Sequence, residues 1–527
     1  MKYILILTLF VLVRSVRAQS PALPYLKKHG DATQLIVDGK PYLVLGGELR
    51  NSSNSNLTNL RPIWPRLVKA NINTVLATVS WEQMEPQEGV FDFTLIDGLI
   101  DQARENKMKV ILLWFGSWKN TVSTYVPGWV KDDFKRFPRI QNADGSGQER
   151  LSTISETNKN ADKLAFKALM RHLRKIDGTA HTVIMVQVEN EVGMYPNRRD
   201  LSADANALFD KPVPGELMNY LVKNMDALSP VLKRAWTEAG SKKSGNWEEV
   251  FGKGRLTEDF FQSWTFATYI NGIAEAGKKE YPLPLFVNTA LNEVSGGPQD
   301  KVMDIWKAVA PSIDLLTPDV YYPQFAEYAA RYHRSDNALF IPEARFDSSV
   351  GGKAMYAIGQ HDAIGFSPFA IDGNDSIHAH PLAKSYKILS QLSPYILENQ
   401  GSKNIGGILL DTINPTQELQ VGNYMITATI VKKKQRLSPQ SAYGIVLATG
   451  ENSFIISGCN LFLTFKPLTP GPAQAGFKNV SEGSFVNGMW RETRRLNGDE
   501  IDDGRHLLFP GDDRELSIQN VEIYRYE

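Results

Sequence analysis

Eight short apolar runs, each closing on polar residues, limit how the first 400 residues of this chain can fold. They lie at 42–46, 74–79, 110–115, 183–188, 285–288, 313–316, 338–341 and 364–366. Val183-Ile-Met-Val186 shows their character: a continuous apolar stretch suits a strand buried on both faces, as in a parallel sheet covered by helices. Between the runs, apolar residues recur at helical spacing, as at Leu95, Ile96, Leu99, Ile100 and Ala103. Strands alternating with helices in this number predict an α/β fold, a (β/α)8 TIM barrel over residues 19–400. A hairpin is expected at Asp38-Gly39. Residues 194–256 break the rhythm with Pro212, Pro214, Pro230 and a stretch rich in Gly, Lys and Ser. A partly helical insertion over one face of the barrel is expected there. After Gly401 short runs such as Tyr424–Val431, Ser441–Leu447, Phe454–Phe465 and Leu516–Tyr526 alternate with turn residues. They predict a β-rich, sandwich-like accessory domain over 411–527.

Composition excludes some partners and is neutral on others. Lys+Arg and Asp+Glu both number 58 in 527 residues, so no single-sign field would draw nucleic acid or an anionic membrane. Residues 1–18 read as a signal peptide: Lys2, an apolar run from Tyr3 to Val13, then Val16-Arg17-Ala18 before a cut. They imply a secreted or periplasmic bacterial protein. That run is too short to span a bilayer, and no later stretch is apolar enough to do so. Cys459 is the only cysteine, so stability must come from a large core, and a buried inert thiol is expected. His378 and His380 stand without a cysteine or a matching pair, so no metal and no cofactor are expected. Oligomeric state is left open.

The chemistry is carried by strand ends. The run at 183 turns polar as Gln187-Val-Glu-Asn-Glu191-Val-Gly193, and the C-terminal end of a parallel strand is where such folds bind ligands. Phe340-Ile-Pro-Glu343 repeats the pattern. If Glu191 ends strand four and Glu343 strand seven, both face one mouth. Glycoside hydrolysis needs such a pair: a protonated acid for the leaving oxygen, and a carboxylate that attacks the anomeric carbon when the two stand about 5–5.5 Å apart. The charge on Glu343 would hold the proton on Glu191. Arg345, if it points inward, would keep Glu343 ionised. Asn190 is placed to hold the sugar 2-hydroxyl, and strand alternation makes Glu189 a structural partner facing the other way. Trp81, Trp118, Tyr321 and Tyr322 follow strands, where rings can stack on sugar faces, and Glu48 and Asn120 are polar residues at strand ends.

Gln187-Val-Glu-Asn-Glu191-Val-Gly193 resembles the acid/base motif of glycoside hydrolase family 35, the β-galactosidases, and Phe340-Ile-Pro-Glu343 resembles that family's nucleophile segment. Gly46-Gly-Glu48 and Trp81-Glu-Gln-Met-Glu-Pro86 are similar to segments lining its sugar site. The resemblance spans about residues 30 to 400, and the tail is similar to a β-rich domain found in a bacterial branch. It implies a retaining exo-β-galactosidase acting on oligosaccharides or plant polysaccharide side chains, with Glu191 as acid/base and Glu343 as nucleophile. Phe115-Gly-Ser-Trp-Lys-Asn120 departs from the usual family segment after strand three, which lacks here the carboxylate that touches the sugar. Two other readings stay open: the same mechanism on another β-glycoside, as in an exo-β-glucosaminidase, and a silent sugar-binding barrel.

Overall fold

The computed structural model describes residues 22–291, 294–431, 442–510 and 516–527; the signal-like residues 1–18 lie outside them. Eight parallel strands close into a barrel: β1 (Val44–Glu48), β2 (Thr74–Ser80), β3 (Lys109–Lys119), β4 (Val183–Asn190), β5 (Leu285–Ala290), β6 (Leu315–Val320), β7 (Ile341–Ala344) and β8 (Gly365–Pro368). Each pairs with its sequence neighbour, and β8 pairs with β1 to close the ring. The strands run past their apolar stretches. β3 continues to Lys119, β4 to Asn190 and β6 to Val320, because pairing persists after the side chains turn polar. Apolarity marks where the barrel is filled, and hydrogen bonding marks where the strand ends.

The barrel interior is filled by Val44, Leu76, Ile111, Leu113, Phe115, Ile184, Phe286, Leu315, Phe340 and Ile364. Leu35 and Val37 join them from the hairpin Ala32–Val37/Lys40–Tyr42. That hairpin turns at Asp38 and Gly39, with φ of 51° and 77°, the left-handed pair a two-residue turn requires. It closes the barrel floor, where Asp38 meets His181 at 2.8 Å and Lys109 at 3.1 Å.

Helices cover the outside, among them Thr94–Glu105, Glu156–Asp177, Arg255–Glu280, Val350–His361 and Pro381–Asn399. Between β4 and β5 four short helices, Ala203–Phe209, Gly215–Lys223, Pro230–Glu238 and Trp247–Phe251, pack on Arg255–Glu280 and neighbouring helices. Trp247 lies edge-on to Phe261 at 5.5 Å and contacts Trp264 at 5.7 Å. No helix among the described residues is long and apolar enough to cross a membrane.

The tail forms two antiparallel sheets. Strands β9 (Ile405–Leu410), β10 (Thr416–Val421), β11 (Tyr424–Ile430), β12 (Ala442–Gly450), β13 (Ser453–Cys459), β14 (Leu461–Pro467), β15 (Gln474–Val486), β16 (Met489–Leu496), β17 (Leu507–Phe509) and β18 (Ile518–Tyr526) divide as β9-β12-β13-β18-β15-β16 and β10-β11-β14-β17. The run Phe454–Phe465, expected as one strand, is two. Asn460 takes φ of 59° and passes the chain from one sheet to the other. The longest hairpin, β15–β16, turns at Asn487-Gly488 with φ of 52° and 76°. Cys459 is buried.

Tyr443, Ile445, Leu447 and Ile455 of the larger sheet belong to the same apolar cluster as the barrel's helix layer, so the tail is fused to the barrel by a continuous core. The approach is close at Gly359, where an added Cβ would stand 3.0 Å from Gly406 O and Gly407 Cα. Backbone cannot swing aside as a side chain can. Gly359→Val is therefore expected to destabilise the chain by about 1–3 kcal/mol, the usual cost of overpacking, read as a lowered thermal midpoint. An unchanged midpoint would show that the sheet is not seated on this helix.

Candidate active site

Strand β4 ends in an unusual backbone. Glu189 and Glu191 have φ of 63° and 43°, left-handed values that non-glycine residues adopt only when their surroundings impose them. The imposing contacts are identifiable. Glu191 N donates to Asn288 Oδ1 at 2.9 Å, and Thr121 N donates to Glu191 O at 3.1 Å. Gln187 Nε2 donates to Glu189 O at 2.9 Å, and Trp118 N donates to Glu189 Oε2 at 2.7 Å. The zigzag sends Glu189 outward into the helix layer and leaves Glu191 partly open at the mouth.

Glu189 is fully buried and in hydrogen-bond contact with Asp162 of the helix Glu156–Asp177. Two carboxyls can touch only if a proton lies between them. Burial, then the charge of Asp162, pushes the Glu189 carboxyl well above the usual range. Asp162 also accepts from Trp114 Nε1 at 2.9 Å and from Ser117 N at 2.9 Å. This network braces the strand end from behind. Asn190 between the two glutamates is wholly buried, and neither its Oδ1 nor its Nδ2 has a hydrogen-bond partner. A buried amide with both ends free is a costly arrangement unless a ligand completes it.

Across the barrel, Glu343 on β7 is 5% exposed and its Oε1 accepts from the Tyr321 hydroxyl. Its register partner on β6 is Asp319, 1% exposed. Glu48 at the end of β1, 2% exposed, is also in hydrogen-bond contact with Glu343. Burial first, then the charge of Glu343, raises the Glu48 carboxyl well above its ordinary range. The Glu191 carboxyl is pushed up to about 7, by burial first and by the Glu343 charge second; Lys119 and a hydrogen bond from Asp319 pull the other way. An acid whose carboxyl is pushed up to about 7 thus faces a second carboxyl group that takes the Tyr321 hydroxyl, a pairing that suits the division of labour in glycoside hydrolysis.

Other expected contacts are placed elsewhere. Trp81 is fully buried, donates Nε1 to Glu85 and packs on Trp114 and Trp129, so it belongs to the helix layer and offers no face to a sugar. Trp118 is likewise fully buried, against Phe266 and Tyr269 of the helix Arg255–Glu280. The causes differ: strand alternation turns Trp118 outward between β3 and the helices, whereas Trp81 opens the short helix Trp81–Met84 and packs into the helix layer. Asn120 is exposed, and its Oδ1 accepts from Lys119 Nζ at 2.8 Å. Arg345 is exposed and donates Nε to Tyr321 O, so it does not neutralise Glu343. Tyr322 is 40% exposed and lines, with Arg345, Lys353 and Leu409–Asp411, a cleft of about 370 Å³ where the tail meets the barrel mouth.

Sequence reasoning missed Lys119, Asn288 and Asp319. Lys119 is 6% exposed, lies 4.9 Å over the Phe115 ring and acts electrostatically on Glu48, Glu191 and Asp319. Asn288 bridges: it donates Nδ2 to Asp319 Oδ2 at 2.6 Å while accepting from Glu191 N. Each is a polar residue at the C-terminal end of a barrel strand, the same signal that singled out Glu191.

Comparison with known proteins gives the family. A β-galactosidase of Xanthomonas manihotis is 28% identical over 218 residues, 39% of this chain and 33% of that protein. β-Galactosidase LacZ of Lactobacillus acidophilus is 22% identical over 130 residues, 24% of this chain and 18% of that one. The matches thus span a third or less of these relatives. Among solved structures, β-galactosidase from Bacillus circulans sp. alkalophilus overlays with a TM-score of 0.47 at 15% identity, covering 68% of this chain and 57% of that one. The enzyme from the Antarctic haloarchaeon Halorubrum lacusprofundi gives 0.46 at 15%, covering 66% and 58%. Residues 382–508 match a domain of unknown function, DUF5597. The resemblance to family 35 is not upheld. Two strand-end carboxylates facing one mouth are what the chemistry demands of any such barrel, so these short motifs cannot separate one family from another. The model of glycoside hydrolase family 42, described as β-galactosidase, matches residues 59–333, just over half of the chain, and the chain belongs to that family.

Proposed function

We propose that this protein is an exported, retaining exo-β-galactosidase that removes terminal β-linked galactose from oligosaccharides or polysaccharide side chains. The reading rests on one observation: Glu191, directly after β4, and Glu343, on β7, meet at the mouth of one barrel, the first with its carboxyl pushed up to about 7 by burial and the Glu343 charge, the second holding the Tyr321 hydroxyl. Family membership and the β-galactosidases among its relatives supply the sugar. Residues 1–18 supply the export.

In the first step a Glu343 oxygen bonds to the anomeric carbon as the bond to the leaving oxygen breaks, and the Glu191 proton passes to that oxygen. The product is a galactosyl ester of Glu343. In the second step Glu191, now a carboxylate, takes a proton from water. The water oxygen bonds to the anomeric carbon, and the ester bond breaks to restore Glu343. Two inversions give net retention. Asn190, with both amide ends free, is placed to hold the 2-hydroxyl, where hydrogen bonds strengthen in the transition state. Tyr321 and Glu48 share the negative charge of Glu343 before attack and receive it again when the ester breaks.

Glu343→Gln is expected to abolish hydrolysis of p-nitrophenyl β-D-galactoside with the thermal midpoint preserved, and NMR of wild-type turnover should show β-galactose first. Near-normal rates in the variant, or α-galactose first, would sink the assignment. Measured on an alkyl galactoside, whose leaving group needs the acid, kcat/KM should fall as pH rises through about 7, because Glu191 works as an acid only while protonated. Lys119 lowers the proton affinity of Glu191, so Lys119→Met should move this limb to higher pH. A limb that moves to lower pH contradicts the placement of Lys119 beside the acid.

A further inference from the structure

Resting on the galactosidase reading, we propose that Asp319 is a positioning residue that works as a neutral carboxylic acid. It aims Glu191 through Asn288 and donates a hydrogen bond, its proton retained, to the Glu191 carboxylate once that group has given its own proton to the leaving oxygen.

The geometry is a closed set of contacts. Asp319 stands beside Glu343 in the β6–β7 register, yet its side chain is tied to β4. Its Oδ2 accepts from Asn288 Nδ2 at 2.6 Å, and Asn288 Oδ1 accepts from the N–H of Glu191 at 2.9 Å. Asn288 therefore fixes the left-handed backbone at Glu191, and Asp319 fixes Asn288. The remaining oxygen, Oδ1, is buried and receives nothing from an N–H or a hydroxyl. What Asp319 meets is the carboxyl of Glu191, in hydrogen-bond contact.

Two carboxylates in contact repel, so this contact holds only with a proton between them. The groups facing Asp319 decide where it sits: Glu343 on β7, Glu191 directly after β4 and Glu48 on β1 all disfavour a charge, and Lys119 on β3 favours one. No ion pair to Asp319 occurs among the described residues, and a bare charge at 1% exposure is costly. Burial and the neighbouring acids accordingly raise its carboxyl well above the usual range. Through the first step Asp319 keeps its proton: Glu191 loses its own, and the Asp319 O–H stabilises the new carboxylate. In the second step Glu191 regains a proton from water, and Asp319 is unchanged.

This role predicts that an amide can replace the acid. Asparagine keeps a donor toward Glu191 and an acceptor for Asn288, whereas leucine keeps neither. Asp319→Leu should lower kcat/KM on methyl β-D-galactoside by roughly tenfold or more, the cost of losing a hydrogen bond to a charged group. It should lower it far less on p-nitrophenyl β-D-galactoside, whose leaving group needs no proton. Asp319→Asn should stay within about threefold of wild type on both, with the basic limb of its pH profile in place. Equal losses on the two substrates in Asp319→Leu, or a tenfold or greater loss in Asp319→Asn, would overturn the inference. The Asparagine variant decides the matter if the leucine variant does not fold. A wild-type protein that hydrolyses neither substrate would instead overturn the galactosidase reading and this inference with it.

Discussion

The mouth of this barrel is governed by a shortage of positive charge. Glu48, Glu191, Asp319 and Glu343 converge there, and among the described residues Lys119 is the ammonium acting on them. In a site this buried the groups cannot all ionise, because each further charge would be taken from water and set against like charges. The arrangement resolves itself by protonation. Glu48 and Asp319, almost wholly buried, stay neutral, and Glu191, partly open, sits near the balance point. Ordinary surface carboxylates at strand ends would all be ionised at neutral pH and could offer no acid. Catalytic asymmetry here follows from burial more than from any one neighbour, since burial is the largest cause for each group that shifts.

That electrostatic arrangement depends on backbone geometry, which depends in turn on the layer behind it. Glu191 reaches the mouth because β4 takes two left-handed residues, and those are held by Asn288 in front and by Trp118 N, Gln187 and Asp162 behind. The carboxyl pair Glu189–Asp162 repeats in the helix layer the proton-sharing found in the mouth. Gly116 shows how tight this layer is: an added Cβ would stand 2.3 Å from Trp114 Nε1 and 2.7 Å from Glu189 Oε1. Trp81 and Trp118, which from position alone could have been sugar platforms, are part of this support.

What was legible in the sequence divides along the same line. The barrel could be read because a strand buried on both faces must be apolar, and eight such runs leave few alternatives. Glu191 and Glu343 could be read because each is an acid closing such a run. Which way a residue beyond the last apolar position points was not legible. Alternation continued from Phe115 in the barrel interior turns Trp118 outward and Lys119 inward, but that count holds only if strand geometry persists through a stretch where β3 and β4 shift register, between Trp114 and Lys119. Lys119 rather than Trp118 therefore faces the acids. Asp319 was hidden for another reason: the apolar run stops at Leu316, and only continued pairing of β6 shows Thr317 to Val320 to be strand. In the tail, Asn460 and Asn487-Gly488 were written in the chain, but a single left-handed residue inside an apolar run gives no warning before the sheets are seen.

The tail has a consequence for the mouth as well as for stability. β9 ends at Leu410, and Leu409–Asp411 reach the cleft that Tyr322 and Arg345 share with the barrel. Tyr321 joins this cleft to the catalytic pair, since its hydroxyl holds Glu343 and its carbonyl accepts from Arg345. A displacement of the larger sheet would act on β9, on the cleft and, through one tyrosine, on the nucleophile. The core that seats the sheet on the helices Val350–His361 and Pro381–Asn399 therefore stabilises more than the tail. It fixes one wall of the approach to the acids, and that wall is rigid because backbone meets backbone at Gly359 and Gly406–Gly407.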